Sequence, residues 1–140
     1  MSGMTLDAIA ARRRGAARPP RATDAQALAQ GLGWFSIGLG LAELLAGRAL
    51  ARSMGMDDYA ALIRTYGARE VATGVAILTR PDPTPWIWAR VGGDALDLAT
   101  LAVGMREDNP RRANVGVAIA AVAGATALDL VCAVRLSREP

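Results

Sequence analysis

The chain has 140 residues, enough for one domain with a single core, and a formal net charge of +3. Hydrophobic residues make up 52% of it and charged residues only 21%, which is more apolar than is usual for a soluble domain of this size. A single cysteine excludes an intrachain disulfide, and the absence of histidine removes the commonest metal ligand. We therefore predict no metal site and no cofactor.

Residues 1–24 are predicted to form an arginine-rich arm. Its basic residues precede a long apolar run and have no aromatic residues between them, unlike a nucleic-acid-binding segment. Anionic lipid headgroups at a cytoplasmic membrane surface are the better match, so no nucleic-acid partner is expected. The predicted headgroup-binding residues are Arg12, Arg13, Arg14, Arg18 and Arg21.

Four apolar segments are predicted to be helices, at residues 25–46, 59–78, 85–105 and 113–134. Each has about 20 residues, or about 30 Å as a helix, which matches the hydrocarbon thickness of a bilayer. Pro85 suits the first turn of the third helix, and Asn109 before Pro110 marks a break ahead of the fourth. Short linkers place consecutive helices antiparallel. The predicted fold is all-α, an up-down-up-down four-helix transmembrane bundle over residues 25–137.

Two other interpretations of these segments are less consistent with the sequence. A water-soluble bundle needs a polar stripe along each helix, and the first and fourth segments are apolar or small on every side. A cleaved signal peptide would explain an arginine-rich start and an apolar centre. However, Glu43 and Arg48 fit poorly in such a peptide, and the apolar stretch is long for one.

Each predicted helix carries an acid on a stripe of small residues with helical spacing. These acids are Glu43, Glu70, Asp97 and Asp129 in the first to fourth helices, respectively. Small residues allow helix backbones to approach closely in lipid, where apolar matching alone gives little reason to associate. The acids are therefore expected to point into the bundle.

Helical rise gives each charged residue an approximate depth in the bilayer. Three arginine–acid pairs fall at matching depths of roughly 9, 15 and 22–24 Å from the inner boundary. They are Arg90 with Asp129, Arg69 with Asp94, and Arg64 with Glu43. Asp94 also stands four residues after Arg90 and is an alternative partner for it. Arg69 is expected to contact Asp94 or Asp97.

Two acids near mid-depth, Glu70 and Asp97, have no assigned arginine. The predicted network comprises eight charged residues: Glu43, Arg64, Arg69, Glu70, Arg90, Asp94, Asp97 and Asp129. It is either a structural ion-pair network that fixes the order of the helices, or a network in which an unpaired carboxyl serves as a proton or cation site. Hydrogen bonds from Thr73 or Thr100 to these acids would also be compatible with the pattern.

The arginine-rich arm ahead of the first helix also predicts membrane orientation. Cytoplasmic segments of membrane proteins carry an excess of arginine and lysine. We therefore expect a multi-pass protein of the bacterial inner membrane with both termini in the cytoplasm.

Three stretches, GWFSIGLGLAELLA, YGAREVATGVAILTRPDPTPWIWARVGGDALDLATL and TALDLVCAV, resemble a family of small bacterial four-helix integral membrane proteins. The resemblance covers about Gly31 to Ser137 and is most specific at GAREVATG and WARVGGDALDL. Members occur alone or ahead of a polyketide cyclase/dehydrase-like (START-like) domain, and a chain ending at Pro140 is expected to be a lone unit. The resemblance implies no catalytic residues. It implies as distinguishing polar positions Glu43, Arg69, Glu70, Arg90, Asp94, Asp97 and Asp129.

The expected function is therefore non-catalytic. The protein is predicted to be an assembly, accessory or binding module in the lipid bilayer, acting with another membrane protein or as a homo-oligomer. The alternative is a small proton- or cation-coupled transporter unit that works as an oligomer, using the unpaired acids. A lipid-modifying enzyme has only the pair Asp94 and Asp97 in its favour, which is too weak a motif to support it.

Overall fold

A computed structural model describes residues Ala22–Pro140. The five predicted headgroup-binding arginines of the arm lie outside these residues. Between Ala22 and Pro140 the chain is helical, without β-strands, as the sequence predicts. Its helices are α1 (Asp24–Ser53), α2 (Ala60–Thr79), α3 (Thr84–Val103) and α4 (Arg112–Arg138), with a short 3-10 turn at Asp57–Tyr59. The first and fourth helices extend beyond the predicted segments, to Ser53 and Arg138.

Helix α1 begins in a capping box and contains one kink. The Gln26 backbone N–H donates to Thr23 Oγ1 at 3.2 Å, while the Thr23 N–H donates to Gln26 Oε1 at 3.0 Å. This reciprocal pair satisfies two backbone donors that a helix start otherwise leaves free. Near the other end, Ala46 leaves helical geometry at φ −114° and ψ 16°. The 30 residues of α1 are therefore two helical stretches joined at Ala46, which is where the predicted segment ends.

Helix α3 follows a polar turn and has Pro85 in its first turn, as predicted. Hydrogen bonds from the Thr84 side chain and backbone N–H hold the pKa of the Asp82 carboxyl below its ordinary value. The charged form of Asp82 is therefore favoured at the start of α3, where it complements the helix dipole.

Glycines set the distance between α1 and α2. A Cβ added at Gly40 would lie 2.5 Å from the Gly67 carbonyl oxygen, and one added at Gly74 would lie 2.6 Å from the Gly33 carbonyl oxygen. The two backbones are therefore in direct contact, without side chains between them. Gly33, Ser36, Gly40 and Glu43 follow one another at intervals of three or four residues. The two glycines therefore lie on the small-residue stripe of the first helix that is predicted to face into the bundle.

Two apolar clusters close the ends of the molecule. The first joins all the helices and comprises Ala25, Ala29, Leu32, Ile77, Ile87, Cys132, Ala133 and Leu136. The second comprises Met56, Leu101 and Val115. Beside it, Asn109 donates to the carbonyls of Met54 at 2.9 Å and Gly104 at 2.7 Å. Gly55, next to Met54, adopts a φ of 64°, which glycine tolerates best.

Several large apolar side chains are exposed, while several charged side chains are buried. Leu45 is 86% exposed, Val117 71% and Trp34 67%, whereas Glu70, Arg90 and Asp129 are at most 1% exposed. Among the described helices, α1 and α4 are the two that are long and apolar enough to cross a membrane. Only 28% of the most apolar window of α1 and 17% of that of α4 is buried, unlike a soluble core helix.

The glycine contact between α1 and α2 gives the first testable prediction. Gly40→Ala would place its Cβ against the Gly67 carbonyl and force the helices apart, which should lower the free energy of unfolding by about 1–3 kcal/mol. Gly38→Ala is the matched control, because a Cβ there meets nothing within 4 Å. It should be neutral or stabilising by up to about 1 kcal/mol. Thermal unfolding of the purified variants measures both effects, and equal midpoints would contradict the close contact.

Candidate functional site

Glu70 is the centre of a buried polar network that joins three helices. Its Oε2 accepts a hydrogen bond from Arg90 Nη1 of α3 at 2.6 Å and another from Ser36 Oγ of α1 at 2.6 Å. Its Oε1 accepts from Arg69 Nη2 at 2.9 Å. The expectation that Glu70 lacks an arginine was wrong. Depth matching assigned one acid to each arginine, whereas a guanidinium has five N–H donors and can serve two carboxylates.

Arg90 connects this centre to α4. Its Nε donates to Asp129 Oδ1 at 2.9 Å, and both side chains are at most 1% exposed. The contact predicted from matched depths is therefore present. The alternative partner Asp94, four residues further along the same helix, forms no ion pair with Arg90 in the described part of the chain. Arg90 is instead shared between Asp129 and Glu70.

Arg69 connects α2 to α3 through Asp97. Its Nη2 donates to Asp97 Oδ2 at 2.8 Å, and its Nη1 donates to the Gly93 carbonyl at 3.2 Å. Gly93 makes room for this approach, because a Cβ there would lie 2.8 Å from Arg69 Cζ. Of the two predicted partners of Arg69, the observed one is Asp97. The depth-matched pair with Asp94, and the expectation that Asp97 has no arginine, were wrong.

The predicted pair Arg64–Glu43 is absent from residues 22–140. Glu43 lies against Gly67, whereas Arg64 lies against Gly47, so the two side chains occupy successive levels of the α1–α2 contact. Arg64 is exposed. A long arginine side chain can cover apolar surface and keep its charge outside, which the depth of its Cα does not reveal.

Within the described range, acids outnumber arginines in the network. Arg69 and Arg90 face Glu43, Glu70, Asp94, Asp97 and Asp129, and of these acids Glu43 and Asp94 form no ion pair. Four buried carboxylate oxygens have no hydrogen-bond partner there: Glu43 Oε2, Asp94 Oδ2, Asp97 Oδ1 and Asp129 Oδ2. Thr73 and Thr100 donate to backbone carbonyls and do not satisfy these acids.

A cavity of about 220 Å³ adjoins the network on the side of the second apolar cluster, whose Met56 and Leu101 line it. Its polar side is formed by Glu43, Tyr66, Arg90, Asp94, Asp97 and Thr100. Its remaining walls are apolar and include Leu50, Met54, Met56, Leu101 and Val122. Residues from α1, α2, α3 and α4 all contribute. The sequence does not predict this cavity, because no residue pattern within one helix gives the space left between several helices.

Three acids of the network are close enough to share a cation. One carboxylate oxygen from each of Glu70, Asp94 and Asp97 lies within 4.8 Å of the other two. Both oxygens of Glu70 already accept hydrogen bonds from guanidinium or hydroxyl groups. The acceptors left free are therefore Asp94 Oδ2 and Asp97 Oδ1, on one helical turn of α3.

No family model, no curated protein and no solved structure matches this chain. The family resemblance inferred from the sequence motifs stays a prediction. The interpretation of the site therefore depends on its own geometry.

The Arg90–Asp129 pair gives the second testable prediction. Arg90→Ala leaves buried Asp129 without its cation and should lower the free energy of unfolding by about 3–5 kcal/mol. Arg90→Ala combined with Asp129→Ala should cost less than the sum of the two single changes, because neither charge is left alone. The measurement is a double-mutant cycle on thermal unfolding.

An exposed pair supplies the control for this cycle. Arg106 and Asp108 are 3.6 Å apart, with side chains 62% and 79% exposed. The same cycle on Arg106 and Asp108 should give a coupling of less than about 1 kcal/mol. Additive losses at Arg90 and Asp129 would contradict a direct interaction between them.

Proposed function

We propose that the protein is a non-catalytic integral membrane module, an up-down-up-down four-helix bundle of the bacterial inner membrane whose interior ion pairs fix its helix arrangement. The observation that carries this proposal is the inverted distribution of side chains. Large apolar residues face outward, while Glu70, Arg90 and Asp129 are enclosed. In water this arrangement would expose most of the apolar surface, and in a bilayer it places each class of residue in its preferred surroundings.

The dimensions and contacts of the helices support the same proposal. Helices α1 and α4 have the length and composition of membrane spans, and their most apolar windows are mostly exposed. The contacts of Gly33 with Ile77, Arg69 with Asp97 and Arg90 with Asp129 lie at the positions expected for consecutive antiparallel helices. That register agrees with an up-down-up-down bundle.

Helices α2 and α3 carry more charge and are not among the described helices that are long and apolar enough to cross a membrane. Apart from the exposed Arg64, their charges are directed at one another and at α1 and α4, through Ser36, Arg69, Arg90 and Asp129. Charged residues are tolerated within a membrane when they face the bundle interior and are paired there. Their pairing would select one order of helices, since apolar packing in lipid discriminates weakly.

A binding role suits the site better than catalysis. The Ser36 hydroxyl is engaged with Glu70, and Cys132 is buried in the first apolar cluster, so neither is placed in the cavity as a free nucleophile. The cavity is lined by acidic side chains and by apolar surface. The bilayer is the proposed surrounding, and another membrane protein or a second copy is the proposed assembly partner.

A small proton- or cation-coupled transporter unit is the second candidate function. The observation in its favour is the set of carboxylate oxygens without partners beside a cavity. The acids that would serve are Glu43 and Asp94, which lack ion pairs, rather than the Glu70 and Asp97 expected from sequence. Proton-coupled flux in liposomes that is lost in Asp94→Asn would favour transport over a static module.

Membrane integration is the third testable prediction. Expressed in bacteria, the full chain should stay in the membrane pellet after alkaline carbonate extraction, because its outer apolar surface is held by lipid acyl chains. A reporter fused after Pro140 should be active only in the cytoplasm, as the arginine-rich arm predicts. Release of the protein by carbonate would contradict the membrane assignment, and a periplasmic signal would contradict the orientation alone.

A further inference from the structure

We propose that the cavity binds a small amphiphilic ammonium ion, a protonated amine with a compact apolar group, whose N–H groups donate to the carboxylates of Asp94 and Asp97. This inference rests on the proposed role as a binding module and names its ligand class. Three features of the site define this ligand class: an excess of negative charge, carboxylate oxygens without hydrogen-bond donors, and apolar walls. Described residues supply each of these features.

The need for a cation comes from the charge balance. Asp94 is only 4% exposed and forms no ion pair with residues 22–140, and Asp97 shares Arg69 with Glu70. A buried carboxylate without a counter-charge is unfavourable, so it takes up a proton or a bound cation. Glu43, on the same cavity, is a further acid without an arginine in the described chain. The cavity therefore carries more negative than positive charge in its ionised state.

The need for N–H donors comes from the free oxygens. Asp94 and Asp97 both line the cavity, and each keeps one carboxylate oxygen that accepts no hydrogen bond from the described residues. Oxygens of these two acids come within 4.8 Å of each other, so one ammonium nitrogen can lie at about 2.8 Å from both. A quaternary ammonium would supply charge without donors and would leave these acceptors unsatisfied.

The apolar walls favour an organic cation over a metal ion. Beyond the polar side, where Tyr66, Arg90 and Thr100 accompany the acids, the cavity is lined by apolar side chains. These are mainly aliphatic and methionine side chains, including Leu50, Met54, Met56 and Leu101. These side chains offer no oxygen ligands to complete the shell of a hard divalent cation. They do suit a hydrocarbon group, and methionine adapts readily to its shape. A volume of about 220 Å³ limits that group to roughly one ring or a short chain.

The fourth testable prediction uses the full chain in lipid nanodiscs and 2-phenylethylamine as the probe, with binding followed by calorimetry and empty nanodiscs subtracted. One equivalent should bind, at least about tenfold more tightly than 2-phenylethanol, which has the same shape without the charge. Asp94→Asn should weaken amine binding by about the same factor, because the amide keeps the size of the carboxylate but removes its charge. Asp108→Asn, at an exposed position outside the helices, is the matched control and should leave binding unchanged.

A second variant leaves every carboxylate in place. Ala121 lines the cavity, so Ala121→Leu should fill part of it and weaken amine binding without changing the charge. Thermal unfolding of each variant identifies any loss due to misfolding. If Asp94→Asn does not fold, the comparison of amine with alcohol on the unchanged chain and the effect of Ala121→Leu still decide the matter.

Three results would overturn the inference. Equal binding of amine and alcohol would mean an apolar cavity only, and binding of Mn²⁺ without amine would mean a metal site at Glu70, Asp94 and Asp97. Binding of none of the probes would mean that the free acids are simply protonated. Each of these results is compatible with retention in the carbonate-washed membrane pellet. Failure of the ligand assignment is thus distinguishable from failure of the proposed membrane function.

Discussion

The position of the Glu70 carboxylate between Arg69 and Arg90 is the constraint on which the rest of this structure depends. Arg90 extends the link to Asp129, so the charges of α2, α3 and α4 form one connected group. Removing any member leaves a partner charge buried, which costs more than the pair itself contributes. Other arrangements of the helices would separate these charges, and the network therefore selects one packing even where apolar surfaces would accept several.

The glycines of α1 and α2 serve this network by allowing a hydroxyl to reach it. Ser36 lies between Gly33 and Gly40 on the inner face of α1, and its Oγ is 2.6 Å from Glu70 Oε2. That distance is possible because the two backbones touch at Gly40 and Gly67. A larger residue at either glycine would move Ser36 away and leave Glu70 with one donor fewer. Backbone packing and electrostatics are thus coupled through a single side chain.

The same network is unbalanced toward negative charge, and its excess lies where the packing is open. Glu43, Asp94 and Asp97 line the cavity, which lies beside the second apolar cluster. A purely structural network would be expected to satisfy its own acceptors, since unsatisfied buried oxygens reduce stability. The free oxygens therefore support the proposed binding role, and the proposed bilayer would strengthen the attraction of a cation by excluding water.

Local periodicity in the sequence determined the helices, the inward-facing acid stripes and the pairing of Arg90 with Asp129. These features follow from helical rise and from residue spacing along one helix. The tertiary structure alone decided that Glu70 takes two arginines, that Arg64 lies outside the network, and that Asp94 faces a cavity. Helical rise fixes the height of a Cα atom. It does not fix the direction of a long arginine side chain, the number of acids one guanidinium serves, or the space that remains between helices.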